Sequence, residues 1–403
     1  MTAPMTGGTP RRSAPAPAPD PEPDLLYSDH EEALRDAVRS LLADRSDPAT
    51  VLARLESDAP YDARLWRSLA TDIGGAGLLV PEKLGGQGAS AREAAVVLEE
   101  LGRCVAPVPY LTSAVVAVAA LLGCDVAEPE VAALLGALAG GGTVGVLALP
   151  LATAPGAAAD GPVAGGTGFG SVRAAGDGAL VGRVTSVADA AAAETLLVPA
   201  QGPDGPALYA VDAAADGVRT DPFIPLDLTR PLGHLTFDGA PGRLLATGGR
   251  ARAAVERALL TGAGLLASEQ LGVAEWCLAE TVRHTSERTQ FGRPVGSFQA
   301  LKHRMAALWL DVASARAAAR NAADALATES PDTAVAVAVA QAYCAPVAVR
   351  AAEECLQLHG GIGMTWEHPA HLFLKRAKSD ELALGTPGRH REALADLVAL
   401  AAP

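Results

Sequence analysis

The stretch "RTQFGRPVGSFQALKHR", Arg288 to Arg304, breaks two long helix-compatible runs with Gly292, Pro294 and Gly296. Apolar residues recur at helical spacing on either side of it. The upstream run extends from Arg250 to about Thr285. The downstream run extends from Phe298 to about Thr328, with Leu301, Met305, Leu308 and Val312 on one face. Glycine and proline at this density force a turn. Around that turn stand Arg288, Gln290, Phe291 and Gln299. A guanidinium fork suits paired phosphate oxygens, amides both donate and accept, and a phenyl ring offers a stacking face. A capped turn between two bundle helices, with a surface arginine, accounts for the same composition.

A second punctuated stretch is "ECLQLHGGIGMTWEHPAHLFLKRAK", Glu354 to Lys378. Gly360, Gly361 and Gly363 strip side chains from the backbone just after a helical run, and Gln357 lies one turn earlier. Bare backbone lets a ligand approach main-chain N–H groups. The spacing is not the dinucleotide fingerprint, because no strand precedes it. A helix C-cap with a turn explains it equally well. His303, His359, His368, His371 and His390 are scattered through the last hundred residues, and Glu367 adjoins His368. An HxxH pair without a second helical partner is weak, so no metal site is assigned. No serine-hydrolase elbow and no phosphate-binding P-loop sequence occurs.

The chain has 403 residues and a net charge of −14. That acidity argues against nucleic acid and against anionic membrane surfaces. No apolar run is read as reaching the ~20 residues of a membrane helix, and "SAVVAVAALLG", Ser113 to Gly123, reads as a buried helix. Cys104, Cys124, Cys277, Cys344 and Cys355 form no CxxC pair, which suits reduced thiols and a cytoplasmic location. Residues 1–24, rich in Pro, Ala and Gly, read as a disordered tail. Residues 25–140 read as a helical domain. Ser28 with Glu31, and Ser90 with Glu93, have capping-box spacing, Leu34, Val38, Leu41 and Leu42 share a face, and Gly102 is placed to stop a helix. Residues 141–248 carry short apolar runs such as "ETLLVPA" and "ALYAVDA" and read as β. Residues 249–403 read as a helical bundle.

Taken together, these stretches resemble the acyl-CoA dehydrogenase family. "RTQFGRPVGSFQALKH" and "QLHGGIGMTWEHP" resemble its two C-terminal signatures, and "LWRSLATDIGGAGLLVPEKLGGQGAS…EAAVVLEELGR" resembles its first domain. The resemblance runs in order over about residues 28–397. It implies a mainly α fold with a β middle: an N-terminal helical domain, a β-barrel-like domain and a C-terminal four-helix bundle. It implies FAD at a subunit interface, acyl-CoA thioester substrates and an electron-transfer flavoprotein as electron acceptor. Arg288, Gln290, Phe291 and Gln299, with Gln357, Gly360, Gly361 and Thr386, fall at cofactor-binding positions. The catalytic position departs from the pattern. Where straight-chain members carry the glutamate that removes the α-proton, this sequence has Leu384 before Gly385 and Thr386. The alternative base position on the first bundle helix is Gly262, with Ala263 beside it. "LATAPGAAADGPVAGG" also lacks the usual flavin-lining pattern. Glu381 and Glu269 are the nearest substitute carboxylates, with Asp380 no better placed. The pattern resembles a branch that pairs with a base-bearing homologue. A self-sufficient homo-oligomer, an oxidase or monooxygenase on the same scaffold, and a non-catalytic scaffold subunit are the other readings.

Overall fold

The computed structural model describes residues 25–55, 57, 61–156 and 168–400. The expected tail at 1–24, and part of the departing "LATAPGAAADGPVAGG" stretch, lie outside them. The chain begins with helices α1 (Asp29–Arg45), α2 (Pro48–Leu55), α3 (Ala63–Arg67) and α4 (Ala91–Cys104). A buried π-helical stretch, Tyr110–Ala117, then runs into α5 (Val118–Leu122), and α6 (Pro129–Ala139) follows. Both capping boxes form. The Ser28 N–H donates to Glu31 at 2.6 Å and the Ser90 N–H to Glu93 at 2.9 Å.

Gly102 does not stop α4. The helix continues to Cys104 and ends where Val105 takes a left-handed conformation. Gly102 instead permits a close helix crossing, because a Cβ there would lie 2.2 Å from the carbonyl oxygen of Glu269. Gly272 makes the reciprocal approach, its Cβ position falling 2.0 Å from the oxygen of Glu99. Two glycines facing across a crossing let backbones meet where any side chain would hold them apart.

Eight strands make the middle of the molecule: β1 (Gly145–Leu147), β2 (Val172–Ala174), β3 (Ala179–Ala188), β4 (Thr195–Gly202), β5 (Gly205–Asp212), β6 (Val218–Phe223), β7 (Leu232–Pro241) and β8 (Arg243–Thr247). The sheet order is β6-β7-β3-β2-β4-β5-β8, with β1 joined in parallel to β4. β4 is buried continuously from Leu196 to Ala200, so it reads as an unbroken apolar run and not as an alternating one.

The last third is helical: α7 (Gly248–Glu287), α8 (Gln299–Ala327), α9 (Thr333–His359), α10 (Ala370–Leu382) and α11 (Pro387–Leu397). Between α7 and α8 sits a miniature hairpin, β9 (Thr289–Gln290) and β10 (Arg293–Pro294). α7 runs for 40 residues and packs on α4, α8 and α9. Trp276 of α7 stacks on Phe373 of α10 with ring centres 3.6 Å apart. Thr333–Met364 is long and apolar enough to cross a membrane by length and composition, a departure from the sequence expectation. Most of it is buried between α7 and α8, where an apolar core helix belongs.

A buried ionic network joins the sheet to the bundle. Arg376 of α10 donates to Asp227 at 2.8 Å, to the Thr229 hydroxyl at 2.7 Å, and to Glu269 of α7. Arg230 reaches the same Glu269 oxygen at 2.5 Å. Asp380 lies 3.5 Å from Arg230, and neither of its oxygens has a hydrogen-bond partner among the described residues. Burial alone would raise the pKa of Glu269, but Arg230 and Arg376 outweigh it and hold the group below its usual range. Asp380 goes the other way: burial, then the charge of Glu269, lift it well above the carboxylate range. Asp380 therefore holds its proton to higher pH in the folded chain than in the unfolded one. The unfolded state loses that proton first, so this residue erodes stability as pH rises. Replacing Asp380→Asn removes the erosion. The variant's advantage should widen by about 1.4 kcal/mol per pH unit above about pH 4. Urea unfolding at a series of pH values between acid and neutral measures it, and a constant gap would mean that Asp380 is ionised and paired with Arg230.

Candidate functional site

The break after α7 is a two-residue hairpin. Gln290 pairs with Arg293 and Thr289 with Pro294. Its two central residues both take positive φ, 53° at Phe291 and 76° at Gly292. That is the signature of a type I′ turn, which asks for Asn-Gly or Gly-Gly. Phe291 fills the first position against its steric preference, and its ring is 91% exposed. Strain that presents an aromatic ring to solvent is a reason to look for a ligand. Arg293 is committed elsewhere, its guanidinium 3.9 Å above the Phe298 ring. Arg288, at the C-cap of α7, is exposed and has no carboxylate partner among the described residues. Gln290 and Gln299 are also exposed, and the Gln290 amide donates to the adjacent Thr289 carbonyl at 3.0 Å.

The glycine turn after α9 lies at the same end of the bundle. The rings of His284, near the end of α7, and His359, at the end of α9, meet at a 30° tilt with centres 4.2 Å apart. Gly360 has φ 64° and ψ −137°, a conformation that only glycine adopts readily. Around Gly360 and Gly361 a Cβ would meet nothing within 4 Å, so the bare backbone faces open space. Gln357 is exposed one turn before it. Arg288, Gln290, Phe291, Gln299, Gln357, Gly360 and Gly361 therefore share one end of the molecule. That end gathers an Arg fork, three amides, an unpacked ring and open main chain.

Thr386 lies elsewhere, at the N-cap of α11, where its hydroxyl accepts from the Arg389 N–H at 3.3 Å. Beside it is Leu384, 5% exposed and at φ 54°. The Leu384 N–H donates to the Leu151 carbonyl at 2.7 Å, and its carbonyl lies 2.9 Å from His390 Nε2. Leu384 and Gly262, far apart in sequence, meet here. A Cβ on Gly262 would fall 3.0 Å from Leu384 Cδ1 and 2.8 Å from Val116 Cγ2. Beside them is a cavity of about 40 Å³ lined mainly by aliphatic groups, including Leu111, Val116, Leu151 and Leu259. Neither substitute carboxylate points a free oxygen into it. Glu269 is locked between Arg230 and Arg376. Glu381 is half-buried and lies 3.4 Å from Lys378. Glycine 262 and arginine 288 are 26 residues apart, and Gly262 sits within α7 while Arg288 caps it. At 1.5 Å per residue the two places are separated by about 39 Å.

The chain matches the family models for the acyl-CoA dehydrogenase N-terminal domain over residues 28–125 and C-terminal domain over residues 251–399. It is 35% identical over 360 residues to the acyl-CoA dehydrogenase IpdE2 of Mycolicibacterium smegmatis, covering 89% of this chain and 96% of that protein. Among solved structures it is similar to the Tcur3481-Tcur3483 steroid ACAD G363A variant, with TM-score 0.80, 31% identity, and coverage of 92% of this chain and 98% of that one. It is also similar to a chain of the ChsE4-ChsE5 complex from Mycobacterium tuberculosis, with TM-score 0.81, 29% identity, and coverage of 94% and 100%. The helical, sheet and helical layers and these matches agree: the chain belongs to the acyl-CoA dehydrogenase family, flavoprotein oxidoreductases that use FAD to oxidise acyl-CoA thioesters.

Proposed function

We propose that this chain is the cofactor-clamping, base-free subunit of a hetero-oligomeric acyl-CoA dehydrogenase. One observation carries the reading. The two places where the resemblance puts a base coincide in space, and both are apolar, Leu384 against Gly262. Desaturation removes a proton from Cα and a hydride from Cβ. A bound FAD supplies the hydride acceptor. The proton needs a positioned base, and losing one lowers the rate by ~10²–10⁴-fold. Leucine and glycine cannot accept it. The base then belongs to a homologous partner, whose active site this chain helps to complete.

What this chain contributes is the clamp. Arg288, with no carboxylate partner among the described residues, would hold the pyrophosphate charge. Gln290, Gln299 and Gln357 offer amides to the nucleotide, Phe291 offers a stacking face, and Gly360 and Gly361 let it approach the backbone. The separation of about 39 Å along α7 supports a clamp that serves a flavin seated mainly in a neighbouring subunit. The named pairs among the similar structures, ChsE4 with ChsE5 and Tcur3481 with Tcur3483, support unlike chains as the assembly. Electron-transfer flavoprotein is the electron acceptor in this reading.

Co-expression with a homologous gene product tests it. The purified pair should be yellow and should desaturate acyl-CoA, while the lone chain should do so at least ~100-fold more slowly. Full turnover by the lone chain ends the proposal. Within the pair, Arg288→Ala should weaken flavin retention about 10- to 100-fold, the worth of one charged hydrogen bond. Phe291→Gly should weaken it too, yet leave the thermal midpoint unchanged or higher, because glycine relaxes the turn. Leu384→Glu should give the lone chain no turnover. It should also destabilise it by about 3 kcal/mol or more, a carboxylate having been forced into an aliphatic cavity. Denaturant melts and single-turnover flavin bleaching read both effects.

A further inference from the structure

The sequence offered His368 and His371 as the conspicuous histidine pair, but the fold separates them. His371 turns to Trp366, ring centres 4.8 Å apart. His368 turns instead toward α7 and α9. There its Nε2 lies 3.6 Å from Glu280 Oε1, and the Nε2 of His359 lies 3.6 Å from the same oxygen. The three ligand atoms all fall within 4.8 Å of one another. The His359 side chain is wholly buried, and its Nε2 has no hydrogen-bond partner. We propose that Glu280, His359 and His368 form a binding site for a zinc-type divalent transition-metal ion, which staples the ends of α7 and α9 to the segment before α10.

The second ring nitrogen of His359 fixes its tautomer. Nδ1 lies 2.6 Å from the Cys355 carbonyl, which can only accept, so Nδ1 carries the proton. A bare Nε2 would direct a lone pair at the Glu280 carboxylate, so either a second proton, which the Cys355 and Glu280 contacts favour against burial, or a metal cation stands between them. A backbone carbonyl behind a ligating imidazole is the usual support for such a ligand. Two ligands on one tetrahedral zinc stand about 3.3 Å apart, given bonds of roughly 2.0–2.1 Å. The 3.6 Å separations in the protein are close to that edge. Two imidazoles and a carboxylate are also a donor set that zinc accepts. The fourth ligand would be water or His284, whose ring lies tilted with its centre 4.2 Å from that of His359.

Two existing contacts oppose the ion, and both are weak. Arg283 bonds Glu280 at 2.8 Å and 2.5 Å, but it is largely exposed and also holds Glu287 at 2.6 Å, so it can yield. The Ala370 N–H donates to His368 Nδ1 at 3.2 Å. On binding, the His368 proton moves from Nε2 to Nδ1 and that single long bond is given up. Any proton on His359 Nε2 leaves to solvent. A hydrogen bond and an exposed ion pair are small beside three metal bonds.

The site needs no flavin, so its test stands apart from that of the proposed function. The probe is Co²⁺, then Zn²⁺ in competition, added to the chelator-treated full chain. One Co²⁺ per chain should bind with the intense visible bands of a tetrahedral site, Zn²⁺ should displace it, and Zn²⁺ should raise the melting temperature. His368→Gln and Glu280→Gln should each weaken binding at least 10-fold, while His371→Gln should not. Absence of the bands, or affinity unchanged in both His368→Gln and Glu280→Gln, would show that the cluster holds only protons and overturn the proposal.

Discussion

Glu269, held by two buried arginines, is the contact on which the arrangement of the molecule depends. Arg230 comes from the loop before β7, Arg376 from α10, and Glu269 from the middle of α7. Asp227 and Thr229 close the set around Arg376. Removing one member of such a cluster strands the others without water or a partner, which costs far more than losing an exposed pair. The sheet, the long bundle helix and the helix leading to Leu384 therefore keep one mutual position. That rigidity also disposes of Glu269 chemically. A carboxylate shared by two guanidiniums is a poor proton acceptor, whatever its distance in sequence from Gly262.

Much of this was legible in the residues, and the failures have physical causes. Capping boxes at Ser28 and Ser90 were readable because their hydrogen bonds are local, spanning three residues. The helix break at Gly292 and the glycine turn at Gly360 were readable for the same reason. Gly102 was not, because a glycine that ends a helix and a glycine that admits another backbone look alike until the second helix is placed. The ionic network was hidden too: Asp227, Arg230, Glu269 and Arg376 lie up to 149 residues apart. The histidine cluster failed in the most instructive way. Sequence spacing favoured His368 with His371, whereas the contact that forms brings His368 to residues of two other helical segments.

The same helix accounts for a division of labour. α7 carries Gly262 in its interior and ends at the Arg288 turn, with the network residue Glu269 between them. A straight rod cannot bring those two places to one ligand. In the proposed reading, the turn at one end and the apolar pocket at the other serve different flavins. In that reading the assembly, and not the single chain, completes a site, and a chain can lose one function while its neighbour retains it.

Two non-glycine residues at left-handed φ mark the two ends, Phe291 at 53° and Leu384 at 54°. Each conformation costs roughly 1–2 kcal/mol, so each needs a compensating interaction. At Leu384 the compensation is internal. Its N–H is bonded to Leu151, its carbonyl to His390, and its side chain packs against Val116 and the small aliphatic cavity. The turn that elsewhere would present a carboxylate here plugs a hole. At Phe291 the hairpin pairing holds the backbone, but the side chain finds no such packing among the described residues: Phe291 is 91% exposed, with Phe298 edge-on at 6.1 Å. Strain balanced inside the fold explains a structural residue. Strain left unbalanced by side-chain packing is what sets the Phe291 turn apart, and it is the feature on which the proposed clamp rests.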